Sequence, residues 1–445
     1  MKRFWRLLAG ALALLVLTGC SGLSYEDLYS LPRATEDYYD LQEALNEVLE
    51  DGYNYSAPSS GARQEPVQLT DLDADGVDEA VAFFRSSDNG AIKIYIFSKS
   101  EDVYTPAAVI DGTGSAVASV EYADLDGKGD LELIVTYQVS ESVTQALQVY
   151  CYAEGEATVV LTASCGRYEL SDLNTDGLPE VLCLTGSGAD NPAVLECYGC
   201  RDGELQRMGE QRLSFSYDNL RKVQEGTLLG DAKGIIFSGV SSEGQLLMDV
   251  FTIQEETFQA VIPEESILMS LPIHSYYVYP DDLNADGIIE IPQTRQLPAY
   301  DSGSAAQCVI DWYGLKSDGS CEKQYTTYQN FSENWYLTIP ESWDEGLIIK
   351  AVDESTTVST VSFYRQEDDN TTPQEILTIY TLKGAERQNY AEAHSLSILF
   401  NDSETIFAVT LAAAEPWEGT VTMSQVSEMF HYTRYRSGET AIETN

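Results

Sequence analysis

Three short stretches of this 445-residue chain carry oxygen-bearing side chains at a spacing that suits a hard divalent cation, and a fourth carries most of the same set. The stretch DLDADGVDE places Asp71, Asp73, Asp75 and Glu79 around Gly76. DLNTDGLPE supplies Asp172, Asn174, Asp176 and Glu180, and DLNADGIIE supplies Asp282, Asn284, Asp286 and Glu290. The stretch at residue 124 keeps Asp124, Asp126 and Glu132, but Lys128 stands fifth and would set an ammonium beside the ion, so its occupancy is expected to be weak or nil. Calcium takes six to eight oxygens in a flexible shell, and carboxylates or amides at positions 1, 3 and 5 of a tight turn provide them. Glycine at position 6 permits the sharp bend. An EF-hand is excluded because its closing Glu stands at position 12, where this chain has Ala82, Val135, Cys183 or Gln293. Here the acidic residue arrives at position 9, directly before apolar runs such as EAVAFF. That places the loop between strands, and a dockerin, which continues into a helix, is excluded on the same ground. No loop position is left for a substrate, so the expected Ca2+ is a structural brace.

The loops also mark a repeat. They start at residues 71, 124, 172 and 282, and the last gap is about twice the others, so a hidden copy is expected near 225. A hairpin signal about thirty residues after each loop locates it at EGTLLGDAKGIIF, with Gly230 in the place of Gly76. There Thr227 and Leu229 replace Asp73 and Asp75, and Lys233 replaces Glu79. Five units of about 50 residues over 62–328 each hold room for four short strands, which predicts a mainly β, β-propeller-like array. Residues 20–61 hold the lipid attachment described below, a linker and one amphipathic helix, with Thr35 as N-cap, Glu36 and Asp37 in the first turn, and Gly52 as the stop. Residues 329–445 read as a small α+β domain, with Thr422 and Gln425 as a capping box and a worn sixth blade at ESWDEGLIIKAV as the alternative.

The loops DLDADGVDEAV, DLNTDGLPEVL and DLNADGIIEI resemble the calcium loops of FG-GAP or VCBS-type repeats, found in integrin α-chain propellers and bacterial surface proteins. The resemblance covers about 60% of the chain. It departs from the pattern in lacking evident Phe-Gly and Gly-Ala-Pro elements, in having Glu at position 9, and in counting five units. It implies a calcium-stabilised adhesion or scaffold module.

The amino terminus addresses the chain to a membrane surface. Lys2, Arg3 and Arg6 precede the apolar run LLAGALALLVL and then LTGC, a lipobox pattern ending at Cys20. The run is shorter than the about 20 residues a spanning helix needs, so 1–19 is expected to be a signal peptide and Cys20 the lipidated first residue of an exported protein, held on the outer face of a bacterial cell membrane. A net charge of -47 repels nucleic acid and attracts cations. Hydrophobic content of 43% places that acidity on a folded surface. Seven cysteines remain after Cys20, too few for a disulfide scaffold, with Cys308 and Cys321 the best candidates for a bridge.

Signatures of catalysis are absent from the sequence. His274, His394 and His431 lie in no ligand spacing, and there is no nucleophile elbow, P-loop or dinucleotide fingerprint. The aromatics of SYYVYP (Tyr276, Tyr277, Tyr279) and of YTTYQNFSENWY read either as a sugar- or protein-binding surface or as strand packing. The leading expectation is a non-enzymatic surface lipoprotein that binds an extracellular protein or glycan. The competing one is a polysaccharide-active enzyme with a carboxylate pair on one propeller face.

Overall fold

The computed structural model describes residues 38–100, 103–139, 145–186, 191–262, 268–273, 275–367, 371–413 and 417–433. Cys20, the signal segment, Thr35, Glu36, Asp37 and His274 lie outside them. The fold is mainly β, and among the described residues the strands form six antiparallel sheets in chain order. Contacts divide the chain into two compact units, the first ending at Val120 and including Tyr152–Thr158.

In the first unit the opening helix runs Tyr39–Glu50 and buries Leu41, Ala44, Leu45 and Val48, one face of the 3.6-residue period. Gly52, at φ +90°, ends it by donating to the Leu49 carbonyl at 3.2 Å. Its apolar face meets Ala80, Ala82, Phe84 and Phe97 of the first sheet. That sheet is centred on Glu79–Ser86, buried through Phe84 on both faces. Tyr53–Tyr55 and Val67–Thr70 follow one another along one of its edges, and Ile92–Ser100 and Val103–Asp111 lie on the other side.

The next sheets repeat that plan. In three of them a strand and a loop lead into an inner, largely buried strand, Glu132–Gln138, Glu180–Thr185 or Lys233–Val240, and a hairpin follows; in the fifth sheet Glu290–Gln296 follows the loop at an edge and is buried only through Pro292. Several hairpins close through two residues that both have positive φ, as at Glu154–Gly155, Asp202–Gly203 and Glu255–Glu256. Such turns match the twist of the flanking strands. The fifth sheet, from Glu290–Gln296 through Cys308–Leu315 and Cys321–Asn330, is completed by Trp335–Ile339 and by Phe430–Tyr432. A sixth sheet follows: Leu347–Asp353, Val358–Arg365, Gln374–Lys383, Thr405–Leu411 and, at its edge, Ser397–Asn401. The helix Met423–Met429 starts on the expected capping box, with Thr422 and Gln425 each bonding the other's backbone.

Within the second unit the apolar clusters each draw on consecutive sheets. Ile134 and Val149 meet Val181 and Cys183, while Leu184 and Leu195 meet Phe237 and Phe251. Met248 and Val250 meet Ile291 and Leu315, and Leu337 and Trp335 meet Ile349 and Phe363. The core is therefore a series of seams between neighbouring sheets.

One expectation is corrected. Cys308 and Cys321 are both free thiols. Cys321 pairs with Leu315, at the far end of the Cys308–Leu315 strand. Seven residues of strand, about 23 Å at 3.3 Å each, separate it from Cys308, whereas a bridge needs Cα atoms about 5–6 Å apart.

Candidate metal loops

The loops at 71, 124, 172 and 282 share one conformation, written in the same hydrogen bonds. A carboxylate oxygen of position 1 accepts from the backbone N–H of the glycine at position 6: Asp71 from Gly76 at 3.0 Å, Asp124 from Gly129 at 3.1 Å, Asp172 from Gly177 at 3.1 Å and Asp282 from Gly287 at 2.9 Å. The side-chain oxygen of position 3 accepts from the N–H of position 5 in all four, at 2.8 to 3.3 Å. The carboxylate of position 5 accepts from position 7 in the three complete loops, through Asp75, Asp176 and Asp286. Lys128 cannot accept, and instead its ammonium reaches back to Asp126 at 2.5 Å. Position 4 has φ near +60° in the complete loops, at Ala74, Thr175 and Ala285, and the position-6 glycines have φ between 88° and 94°. These turns fold the oxygen-bearing side chains inward over the loop. Asp71, Asp73 and Glu79 bring ligand atoms within 4.8 Å of one another, and so do Asp124, Asp126 and Glu132.

Position 9 is the most buried carboxylate of each loop. Glu79, Glu132, Glu180 and Glu290 are 2% exposed or less. In the first three, one oxygen accepts from the N–H of the leucine at position 2, at 2.7 to 2.9 Å. Glu290 accepts from the Tyr325 hydroxyl at 2.9 Å instead. Desolvation pushes all four carboxyls up to about 7; the bonds they accept act against this, and the neighbouring aspartates add to it. The second oxygen of Glu132 and one oxygen of Asp71 are buried without a partner. Buried, mutually repelling carboxylates with unspent lone pairs fit a bound divalent cation, whose charge would reverse the shift. Asp71, Asp73, Asp75 and Glu79, with their counterparts in the loops at 172 and 282, are the residues that would hold it.

The copy near 225 differs from its sequence reading. Strand pairing puts Lys233 opposite Thr227, as Glu79 stands opposite Thr70 and Glu180 opposite Ser171. Lys233 thus occupies the position of Glu79, but residues 228–232 must cross where 71–78 cross in the first loop. The shorter turn closes on itself, Leu228 donating to the Ala232 carbonyl at 2.7 Å, and Lys233 bonds the Thr227 hydroxyl at 3.2 Å.

The loops of the second unit also lie on the seams between sheets. Leu178 of one loop rests within 3.2 Å of where a side chain on Gly127 of the preceding loop would begin. Cys200 of the third sheet donates to the Asp126 carbonyl, and Ile289 donates its N–H to Thr227 of the fourth sheet at 2.9 Å.

Elsewhere the predicted features part company. Tyr279 is buried in the seam between the fourth and fifth sheets, Tyr277 bonds the Gly244 carbonyl, and Tyr328 and Trp335 belong to the core. Tyr276 lines a cavity and stacks on Phe331 at 5.0 Å. His394 stacks on Tyr390 and His431 on Tyr336. Sequence reading missed one constellation: Arg295 grips Asp311 (2.7 and 3.1 Å) and Asp344 (2.5 Å), while Lys323 bonds the same two carboxylates at 3.1 and 2.5 Å. Burial alone would raise the Asp311 pKa, but Arg295, Thr326 and Lys323 outweigh it and hold the group below the usual carboxylate range. Two cations balance two anions, an arrangement that holds Asp311 ionised, and a general acid at neutral pH needs the opposite. No sequence signal links these four positions, because strand register brings Arg295, Asp311 and Lys323 together and the turn after Glu341–Trp343 delivers Asp344.

No protein-family model matches the chain, and no curated protein matches it. Among solved structures it is similar to an exotype rhamnogalacturonan lyase, with 13% identity and a TM-score of 0.29 over 73% of this chain and 65% of that one. It is also similar to a Bacillus licheniformis rhamnogalacturonan lyase (12%, TM-score 0.29, 80% and 72% covered) and to the Dos1 propeller (10%, TM-score 0.26, 70% and 73% covered). Superposition at this level carries no inference about activity.

Proposed function

We propose that this chain is an exported, Cys20-lipidated surface protein whose calcium loops brace a propeller-like series of sheets, and that it binds an extracellular glycan or protein without transforming it. The observation that carries the reading is the shared loop conformation, with a buried glutamate at position 9 in four copies. Ions held there would neutralise carboxylates at seams between sheets and contribute rigidity, and every ligand-bearing position would be spent on the ion. The acidic surface turns away nucleic acid. The described helices include none long and apolar enough to span a membrane.

The test follows the protein in its own envelope and in solution. Wild type should incorporate a fatty-acid label and fractionate with the membrane, and Cys20→Ala should lose the label. The lipid-free protein should be retained on insoluble envelope polysaccharide or protein in calcium, while sugar release stays at background. Release of unsaturated or reducing sugars by the purified protein would favour the polysaccharide-active alternative and overturn the non-enzymatic reading.

A further inference from the structure

We propose that the cavity between the fifth and sixth sheets binds one neutral pyranose unit of a saccharide; this rests on the reading of the protein as a surface binder and names the ligand class. The cavity measures about 290 Å³, at the small end of ligand sites. Tyr276 and Phe331 line it, stacked at 5.0 Å with their planes 11° apart, and both rings are only half-buried. An aromatic face carries negative charge that attracts the C–H face of a sugar ring.

The remaining lining supplies neutral hydrogen-bonding groups. Gln329 is 7% exposed, yet its side-chain amide makes no hydrogen bond among the described residues. It lies two residues from Thr327 on the same strand, and so on the face where Thr327 receives the Trp312 indole. The amide is not sealed from solvent, so its donors and acceptor stay available for sugar hydroxyls to take the place of water. Asn330 accepts from Ser332 and from the Glu333 N–H through its oxygen, which leaves its NH2 to donate. Gln307, 9% exposed, has only weak contacts of 3.4 Å to Ala305 and Tyr328.

Charge sets the class. Among the described residues, the ionisable carboxylates or cations in the lining are Glu333, which is paired with Lys383 at 2.6 Å, and the exposed Asp353. Among the described residues no lysine or arginine lines the cavity, and the chain carries -47 overall. A uronate would enter against that field with no cation to receive it.

The experiment is calorimetric titration of the calcium-loaded, lipid-free chain with cellohexaose, xylohexaose, mannohexaose, chitohexaose and hexagalacturonate. At least one neutral oligomer should bind and hexagalacturonate should not. Tyr276→Ala and Gln329→Leu should each weaken binding about tenfold or more, with melting temperatures confirming that both variants fold. Tyr300→Ala, which removes a ring packed at a tilt on Tyr364 outside the cavity, should leave binding unchanged. Failure of every neutral oligomer to bind at about 10 mM, or preference for hexagalacturonate, overturns the proposal. Binding that survives both cavity substitutions also overturns it while leaving the surface-binder reading intact. If the whole protein is in addition not retained on envelope polysaccharide or protein, that reading falls too.

Discussion

The glutamate at position 9 decides how each loop behaves. Its folded pKa near 7 lies above its ordinary value of 4.5, so between those values the metal-free folded chain binds more protons than the unfolded one. Its contribution to stability is therefore present below about 4.5 and lost as pH rises through about 7. Chelator-treated protein should melt at a lower temperature at pH 8 than at pH 5.5. Calcium should remove most of that fall, and Glu180→Gln should reduce it in chelator; a melting temperature that rises with pH in chelator would contradict the assignment. Lys128 gives the complementary test. It already holds Asp126 at 2.5 Å and is largely solvent-exposed, so Lys128→Asp can be made without disturbing the core. That substitution should raise the calcium stoichiometry from about three to about four by calorimetry. The acidic spacing was legible because ligand chemistry requires particular residue types at particular positions. The Tyr325 bond to Glu290 was not legible, because the two meet only once the strands are in register.

At the scale of the element, the loop shape depends on backbone freedom at position 6. Gly177 has φ +93°, and a Cβ built there would meet nothing within 4 Å, so the cost of Gly177→Ala is conformational alone. It should destabilise the chelated protein by about 1–2 kcal/mol in denaturant titrations and weaken calcium at that loop. A neutral outcome would mean that the loop is not held in this conformation. Turn and loop residues gave the repeat away, since Gly, Asp and Asn mark sharp bends wherever they recur. Loop length did not show in the same way. The copy near 225 keeps its leucine and glycine landmarks while its crossing is shorter, and only the Thr227–Lys233 pairing reveals this. The proposed Cys308–Cys321 bridge failed for a related reason: sequence shows that two cysteines flank a hairpin, but register decides whether they face each other.

Across the second unit, stability is a property of seams. Ile289 is 7% exposed and sits over Gly226 of the neighbouring sheet, where a side chain would begin 2.6 Å from its methyl group. Ile289→Ala should therefore cost about 2–4 kcal/mol by denaturant titration, more than a surface change on the same loop. Strand content and the repeated four-strand plan were legible from apolar runs of four to eight residues bounded by turn signals. The long-range closures were not: Phe430–Tyr432 joins Trp335–Ile339 across about a hundred residues of chain, a pairing no local pattern encodes. The central claim is that cations hold these loops. Its most direct test is calorimetric titration of calcium into chelator-treated protein, with a melting curve recorded at each end of the titration. The account predicts heat saturating at about three ions per chain and a higher melting temperature in calcium. No heat and an unchanged melting temperature would contradict it.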